Sequence, residues 1–129
     1  MINDNVLLMT DVYKMGHMLQ YPEGTSKVYS YLTARSDKKF DKTVFFGLQY
    51  YLQTYLSQKI TQDMVTEFLE YREMILGPNP PEVITKMRAL GDLGYLPLEI
   101  KAIEEGTIMP VKNVLMTMTN THPDFAWIV

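Results

Sequence analysis

Hydrophobic periodicity changes twice along this chain of 129 residues, and these changes restrict the folds that it can adopt. Residues 26–35 alternate between two faces, which predicts a strand ending at Arg35. Between residues 44 and 94, apolar side chains recur every three or four positions, which predicts three amphipathic helices. The two-residue alternation returns between residues 98 and 119. The chain must therefore combine helices with strands.

Capping and stop signals set the expected ends of these elements. Asp11, or the threonine before it, can cap a first helix that ends near residue 20. Further helices are expected at residues 44–57, after a cap at Thr61, and after a cap at Asn79 that is followed by proline. Later strands are expected at residues 98–102, 107–109 and 114–119, before a last short helix at residues 124–129.

Composition restricts the class of protein. A length of 129 residues suits one domain, and 47% hydrophobic with 21% charged residues is typical of a globular chain. The net charge of −3 argues against a general nucleic-acid binder. The absence of cysteine excludes a disulfide framework and a thiolate metal site and fits a cytoplasmic protein. The apolar run at residues 6–9 is too short for a signal peptide or a membrane span.

Asp11 and Tyr13 form the first candidate site. A helix N-cap is the ordinary role of Asp11, but a carboxylate can also accept hydrogen bonds from an amide group of a ligand. Tyr13 is either a half-buried aromatic residue or an exposed ring that offers its face to a flat heterocycle. Two helical residues two positions apart point about 200° apart. Both side chains can therefore reach one ligand only if Asp11 precedes the helix.

Arg35 is the second candidate, at the end of the first strand and just before Ser36, Asp37 and two lysines. It is either part of a solvated charge cluster or a bidentate ligand for phosphate. His17 has no partner at metal-ligand spacing and is interpreted as a satisfied structural histidine. The sequence contains no glycine-rich phosphate loop, nucleophile elbow or marked carboxylate pair, so it assigns no catalytic residue and no metal ligand.

Several ordered motifs resemble the N-terminal part of the nicotinamide phosphoribosyltransferase family. They cover nearly the whole chain, although residues 61–94 match mostly in hydrophobic pattern. Departures include Val12, where the family usually has serine, and Glu104, where it often has proline. The motifs that carry the resemblance are TDVYKMGHMLQYP at residues 10–22, TSKVYSY at 25–31 with Arg35, TVFFGLQY at 43–50, LPLEIKA at 96–102 and NVL at 113–115.

The resemblance implies an α+β fold, with a mainly antiparallel sheet and several packed helices. Residues 1–129 would be the N-terminal domain of a type II phosphoribosyltransferase, without its α/β barrel and apparently cut short before it. The implied reaction transfers phosphoribosyl from phosphoribosyl pyrophosphate to nicotinamide, giving nicotinamide mononucleotide and pyrophosphate in cytoplasmic NAD salvage. Tyr13 would stack on the nicotinamide ring, Asp11 would lie by the carboxamide, and Arg35 would contact phosphate. Mg²⁺ would bind with the sugar donor, mainly through residues outside this chain.

The resemblance also implies partners, because the family's active site lies at a dimer interface. The chain would form a homodimer or pair with a C-terminal half, without nucleic acid or membrane, and would be inactive alone. Three alternatives remain: nicotinate as the substrate, a non-catalytic module that pairs with a separately encoded partner, and a decaying gene product. The module hypothesis predicts an exposed apolar end at residues 127–129.

Overall fold

The computed structural model describes residues 5–36 and 39–129 and has an α+β fold, as expected. Asp37, two positions after the candidate Arg35 in sequence, lies outside these ranges. One antiparallel sheet has the strand order β1-β5-β3, and a second pairs β2 with β4. The described residues contain no α/β barrel. The strands are β1 (Tyr29–Thr33), β2 (Lys42–Val44), β3 (Leu98–Ala102), β4 (Ile108–Pro110) and β5 (Val114–Asn120), and the α-helices are α1 (Leu48–Tyr51), α2 (Gln62–Leu76) and α3 (Pro81–Leu93).

The described part of the chain also contains 3₁₀ helices and one π-helical segment. After α1, the chain continues as a π-helical segment in which the Ser57 N–H donates to the Leu52 carbonyl, five residues back, at 3.0 Å. Short 3₁₀ helices occur near both ends, and the last of them lies where a short helix is expected at residues 124–129. The π-helical segment is Leu52–Leu56, and the 3₁₀ helices are Val6–Leu8, Val12–Leu19 and Pro123–Ile128.

Helices α2 and α3 follow the sequence signals closely. The Thr61 hydroxyl accepts a hydrogen bond from the Met64 N–H at 3.3 Å, so the expected cap is confirmed. Gly94 ends α3 with a φ of 80°, a conformation that glycine adopts without a steric penalty. Asn79 was wrongly expected to cap α3, because Pro80 occupies the cap position. The Asn79 amide instead donates to the Leu69 carbonyl at 2.8 Å.

The sequence interpretation is also wrong at the start of the helix expected over residues 44–57. Residues 42–44 form β2, in which Val44 pairs with Ile108 of β4. Phe45 is buried, and its carbonyl accepts a hydrogen bond from the Gly106 N–H at 2.8 Å. Pairing with a distant strand thus overrides a local spacing that also fits a helix.

The larger sheet has two different faces. On one face, Ser30 of β1 is paired with Met118 of β5, which is paired in turn with Ile100 of β3. Met118 lines the cavity described below, so this face is the inner one. Tyr29 and Tyr31, on the opposite face, are both exposed. The alternation of residues 26–35 therefore places two tyrosines on the surface of the strand that leads to Arg35.

The core lies between the helices and the last turn of the described chain. Residues 127–129 are half-buried, and two of them pack against this core, so the exposed apolar end expected there is not found. No helix in the described ranges is long and apolar enough to cross a bilayer. The buried core residues are Met15, Met18, Ile60, Val65, Phe68, Leu69, Val83, Met87, Leu90 and Phe125.

Candidate functional site

Tyr13 lies on the 3₁₀ helix Val12–Leu19, where the sequence predicted an α-helix. Gly16 in the middle of this helix lowers its α-helical propensity. Met15 and Met18 are both buried, and three residues make one turn of a 3₁₀ helix. This spacing anchors one side of the helix in the core and leaves Tyr13 on another side.

Asp11 precedes this helix in an extended conformation, with φ −66° and ψ 136°. The condition that allows Asp11 and Tyr13 to face one ligand is therefore met. The expected capping bond is not found, because the Asp11 side chain bonds no backbone N–H of the helix. Its carboxylate lies 3.3 Å from the Lys14 ammonium, which a three-residue turn brings to the same side. Both side chains are largely exposed, so this ion pair contributes little to stability.

The Tyr13 ring is 61% exposed and is not part of the core. It is 5.3 Å from the His17 ring between centroids, and the Lys14 ammonium lies 5.9 Å from its centroid. The expectation of a hydrogen-bonded structural histidine is not met, because the His17 side chain makes no hydrogen bond with the described residues. This cluster can offer a carboxylate, an aromatic face and a cation to one planar polar ligand.

Arg35 lies at a different place, in an open groove beside the end of β1. Lys112 lines the same groove, and its N–H donates to the Ala34 carbonyl at 2.9 Å. Neither the Arg35 guanidinium nor the Lys112 ammonium has a partner among the described residues. Two such cations beside one groove suit an anion. Sequence reasoning missed Lys112, because only the pairing of β5 with β1 brings the turn before β5 next to Arg35.

The structure does not bring the three candidate residues into one pocket. A cavity of about 390 Å³ lies beneath the Val12–Leu19 helix, and His17, Lys14 and Trp127 are among its lining residues. Asp11, Tyr13 and Arg35 do not line it. Asp11 and Tyr13 thus form an outward-facing surface, and Arg35 belongs to a separate groove.

Comparisons with known proteins place these residues in context. A family model described as "Nicotinamide phosphoribosyltransferase, N-terminal domain" matches residues 5–76. The nicotinamide phosphoribosyltransferase of Acinetobacter baylyi is 38% identical over 139 aligned positions, which cover 96% of this chain and 27% of that relative. The enzyme of the same name from Xanthomonas campestris pv. campestris is 35% identical over 127 positions, covering 97% and 26%. The chain thus spans about a quarter of the length of these curated relatives.

Proposed function

Because the chain belongs to the nicotinamide phosphoribosyltransferase family, we propose that it supplies the N-terminal part of an enzyme that transfers phosphoribosyl from phosphoribosyl pyrophosphate to nicotinamide. The products are nicotinamide mononucleotide and pyrophosphate, and the reaction belongs to NAD salvage. One observation carries this proposal for the chain's own residues. The exposed Tyr13 ring follows, by two positions, a carboxylate that lies outside the helix.

Tyr13 and Asp11 bind the nicotinamide in this proposal. The pyridine ring stacks on the free face of Tyr13, and it gains more from that face as it becomes positively charged in the product. The Asp11 carboxylate accepts a hydrogen bond from the carboxamide N–H of nicotinamide. Nicotinate carries a carboxylate instead, which Asp11 would repel. Lys14 partly neutralises this repulsion, because its ammonium lies 3.3 Å from the same carboxylate.

Arg35 binds a phosphate group in this proposal. Its groove is separate from Tyr13, so the two residues contact different groups or different copies of the substrates. Since Asp11 and Tyr13 face outward and line no enclosed cavity here, another polypeptide completes the pocket. That polypeptide is a second copy in a homodimer or a chain that carries the C-terminal half.

Magnesium would accompany the pyrophosphate of the sugar donor. The described residues contain no group of three or more histidine, aspartate or glutamate side chains that could hold a metal ion. The described residues therefore do not fit a magnesium site, and in this proposal residues elsewhere bind the ion with the sugar donor.

The chain contributes to the reaction by positioning. The ring nitrogen of nicotinamide forms a bond to the anomeric carbon of the ribose, while the bond from that carbon to the pyrophosphate oxygen breaks. Holding the ring against the anomeric carbon removes part of the entropic cost of this encounter. No catalytic residue is assigned to this chain, and the isolated 129 residues are expected to form no nicotinamide mononucleotide.

A hybrid enzyme tests this proposal. This chain replaces the matching segment of the Acinetobacter baylyi relative, and product formation is measured with nicotinamide and phosphoribosyl pyrophosphate. Tyr13→Ala and Asp11→Ala should each lower kcat/KM for nicotinamide by about tenfold or more. Tyr29→Ala is the matched control, because Tyr29 is also an exposed tyrosine, 65% accessible, on β1. The Tyr29→Ala variant is expected to leave kcat/KM unchanged.

A hybrid enzyme in which the Tyr13→Ala and Asp11→Ala variants behave like the Tyr29→Ala control would overturn the proposal. If the hybrid enzyme does not fold, the remaining part of the Acinetobacter baylyi relative is added to this chain as a separate polypeptide. Product formation by the mixture is then measured with the same three variants, and equal rates for all three would overturn the proposal as well.

A further inference from the structure

Arg72 of α2 is a buried cation without an acidic partner. Its side chain is 5% exposed, and no carboxylate among the described residues lies within ion-pair distance. Its Nε–H donates to the Met15 carbonyl at 3.2 Å, and its Nη1 donates to the Asn79 carboxamide oxygen at 3.0 Å. Burying a charge is costly unless hydrogen bonds satisfy it. These two hydrogen bonds therefore offset part of the free-energy cost of burying the Arg72 charge.

Asn79 fixes the direction of the guanidinium. Its amide nitrogen donates to the Leu69 carbonyl at 2.8 Å and lies 3.3 Å from a carboxylate oxygen of Glu73. The carboxamide oxygen of Asn79 must then face Arg72. Asn79, three residues beyond the end of α2, thus holds one side of the guanidinium, and the Arg72 Nε–H is directed at Met15.

Met15 lies two residues from Tyr13 and two residues from His17. A second cation bonds the same helix, because Lys86 of α3 donates to the Met18 carbonyl at 3.3 Å. Met15 and Met18 are three residues apart, one turn of a 3₁₀ helix. Cations from α2 and α3 therefore bond two successive turns of the helix that carries Tyr13.

We propose that Arg72 is a positioning residue for Tyr13. Its bond to the Met15 carbonyl fixes the rotation of the Val12–Leu19 helix and keeps the helix in its 3₁₀ form. The change from 120° to 100° per residue in an α-helix would rotate Tyr13 by about 40° relative to Met15. Such a rotation would move the ring relative to His17 and to Asp11. The inference rests on the proposed function only for what Tyr13 binds, since the geometry of the helix can be measured without a ligand.

The chain offers a matched control for Arg72. Arg88 of α3 is partly buried, and its Nη1 donates to the Gln62 carbonyl, the Gln62 side chain and the Thr66 hydroxyl at 2.9–3.2 Å. None of these groups belongs to the helix of Tyr13. Arg72→Met and Arg88→Met therefore both remove a guanidinium that joins parts of the fold, but only Arg72→Met removes a bond to that helix.

The first measurement uses the 129-residue chain by itself. Arg72→Met should remove the NMR contact between the Tyr13 and His17 rings, and amide exchange at residues 12–19 should accelerate by about tenfold relative to α3. Arg88→Met should leave both unchanged. Arg72→Lys, which keeps the charge but not the two-pronged geometry, should restore them in part. If Arg72→Met does not fold, the Asn79→Ala variant is used instead. Asn79→Ala keeps the guanidinium but removes the carboxamide oxygen that fixes its direction.

The second measurement uses the hybrid enzyme described above. Arg72→Met should raise the KM for nicotinamide several-fold and leave the KM for phosphoribosyl pyrophosphate unchanged. A Tyr13–His17 contact that survives in Arg72→Met, or that is lost equally in Arg88→Met, would overturn the inference. A lost contact with an unchanged KM for nicotinamide would support Arg72 as the residue that positions Tyr13, and would refute the proposed role of Tyr13 itself.

Discussion

The rings of Tyr13 and His17 lie 5.3 Å apart between centroids, with their planes tilted by 57°. His17 therefore restricts the motion of a ring that is otherwise exposed to solvent. An aromatic pair of this kind contributes about 0.5–1.5 kcal/mol beyond its buried area. A pre-oriented Tyr13 ring loses less entropy when a ligand binds to it.

His17→Ala should therefore raise the KM for nicotinamide in the hybrid enzyme by about two- to tenfold. His17→Phe retains an aromatic partner for Tyr13 and should have a KM close to that of the unmodified hybrid. Steady-state kinetics at varied nicotinamide concentration measure both values. Equal KM values for the two variants would show that the ring contact does not contribute to binding.

Asp11→Asn should reduce the discrimination between nicotinamide and nicotinate, because it removes the charge that repels the nicotinate carboxylate. The ratio of kcat/KM for the two substrates measures this effect. Glu99→Gln is the control, since Glu99 forms a similar exposed ion pair with Lys101 at 3.2 Å outside the proposed site. An unchanged substrate ratio in Asp11→Asn would place the source of discrimination elsewhere.

Lys112→Gly should stabilise the fold by up to about 1 kcal/mol, because Lys112 has a φ of 67°, where a side chain is strained and glycine is not. The bond from its N–H to Ala34 is retained. Gly106→Ala is the reverse test, since Gly106 has a φ of 90° and open space around it. It should destabilise the fold by about 1 kcal/mol. Urea unfolding measures both, and a destabilised Lys112→Gly would contradict the prediction.

Asn120→Ala should lower the free energy of unfolding by about 3 kcal/mol. Asn120 is 1% exposed, and its side chain accepts from the Val28 N–H and donates to the Ser26 and His122 carbonyls, each at 2.9 Å. The variant leaves all three backbone groups without this partner. Asn113→Ala, at an exposed turn, should cost less than about 1 kcal/mol. Similar urea midpoints for the two variants would contradict this ranking.

Gly91→Ala should have almost no net effect on stability, because two changes oppose each other. Alanine gains about 1 kcal/mol of helix propensity. Its Cβ, however, would lie 2.7 Å from Gln62 Nε2, which donates to the Arg88 carbonyl and to the Asp92 carboxylate. In a Gln62→Ala background, Gly91→Ala should therefore stabilise α3 by about 1 kcal/mol. A double-mutant cycle of urea unfolding measures the coupling, and additive effects would exclude this contact as its cause.

Local signals were sufficient to predict the helices α2 and α3. Thr61 and Gly94 give their ends, and their apolar residues recur with helical spacing over more than ten residues. Signals at residues 44–57 were ambiguous, because β2 is only three residues long and depends on pairing with β4. A short strand of this kind is specified by its distant partner and not by its own sequence.

The candidate site likewise contains residues that local sequence can identify and residues that only long-range contacts reveal. Asp11, Tyr13 and Arg35 could be selected from their residue types and from a family resemblance. Lys112 and Arg72 could not, because each meets the site through a contact between distant parts of the chain. Arg72, for example, is 57 residues from Met15 in sequence.

The π-helical segment Leu52–Leu56 also has an evolutionary consequence. Its hydrogen bond from Ser57 back to Leu52 encloses one amino acid more than an α-helical bond does. Deleting one amino acid there would leave an ordinary α-helical turn, with the flanking elements still connected. Homologous genes are therefore expected to tolerate a one-codon gap at this point more readily than inside α2 or α3.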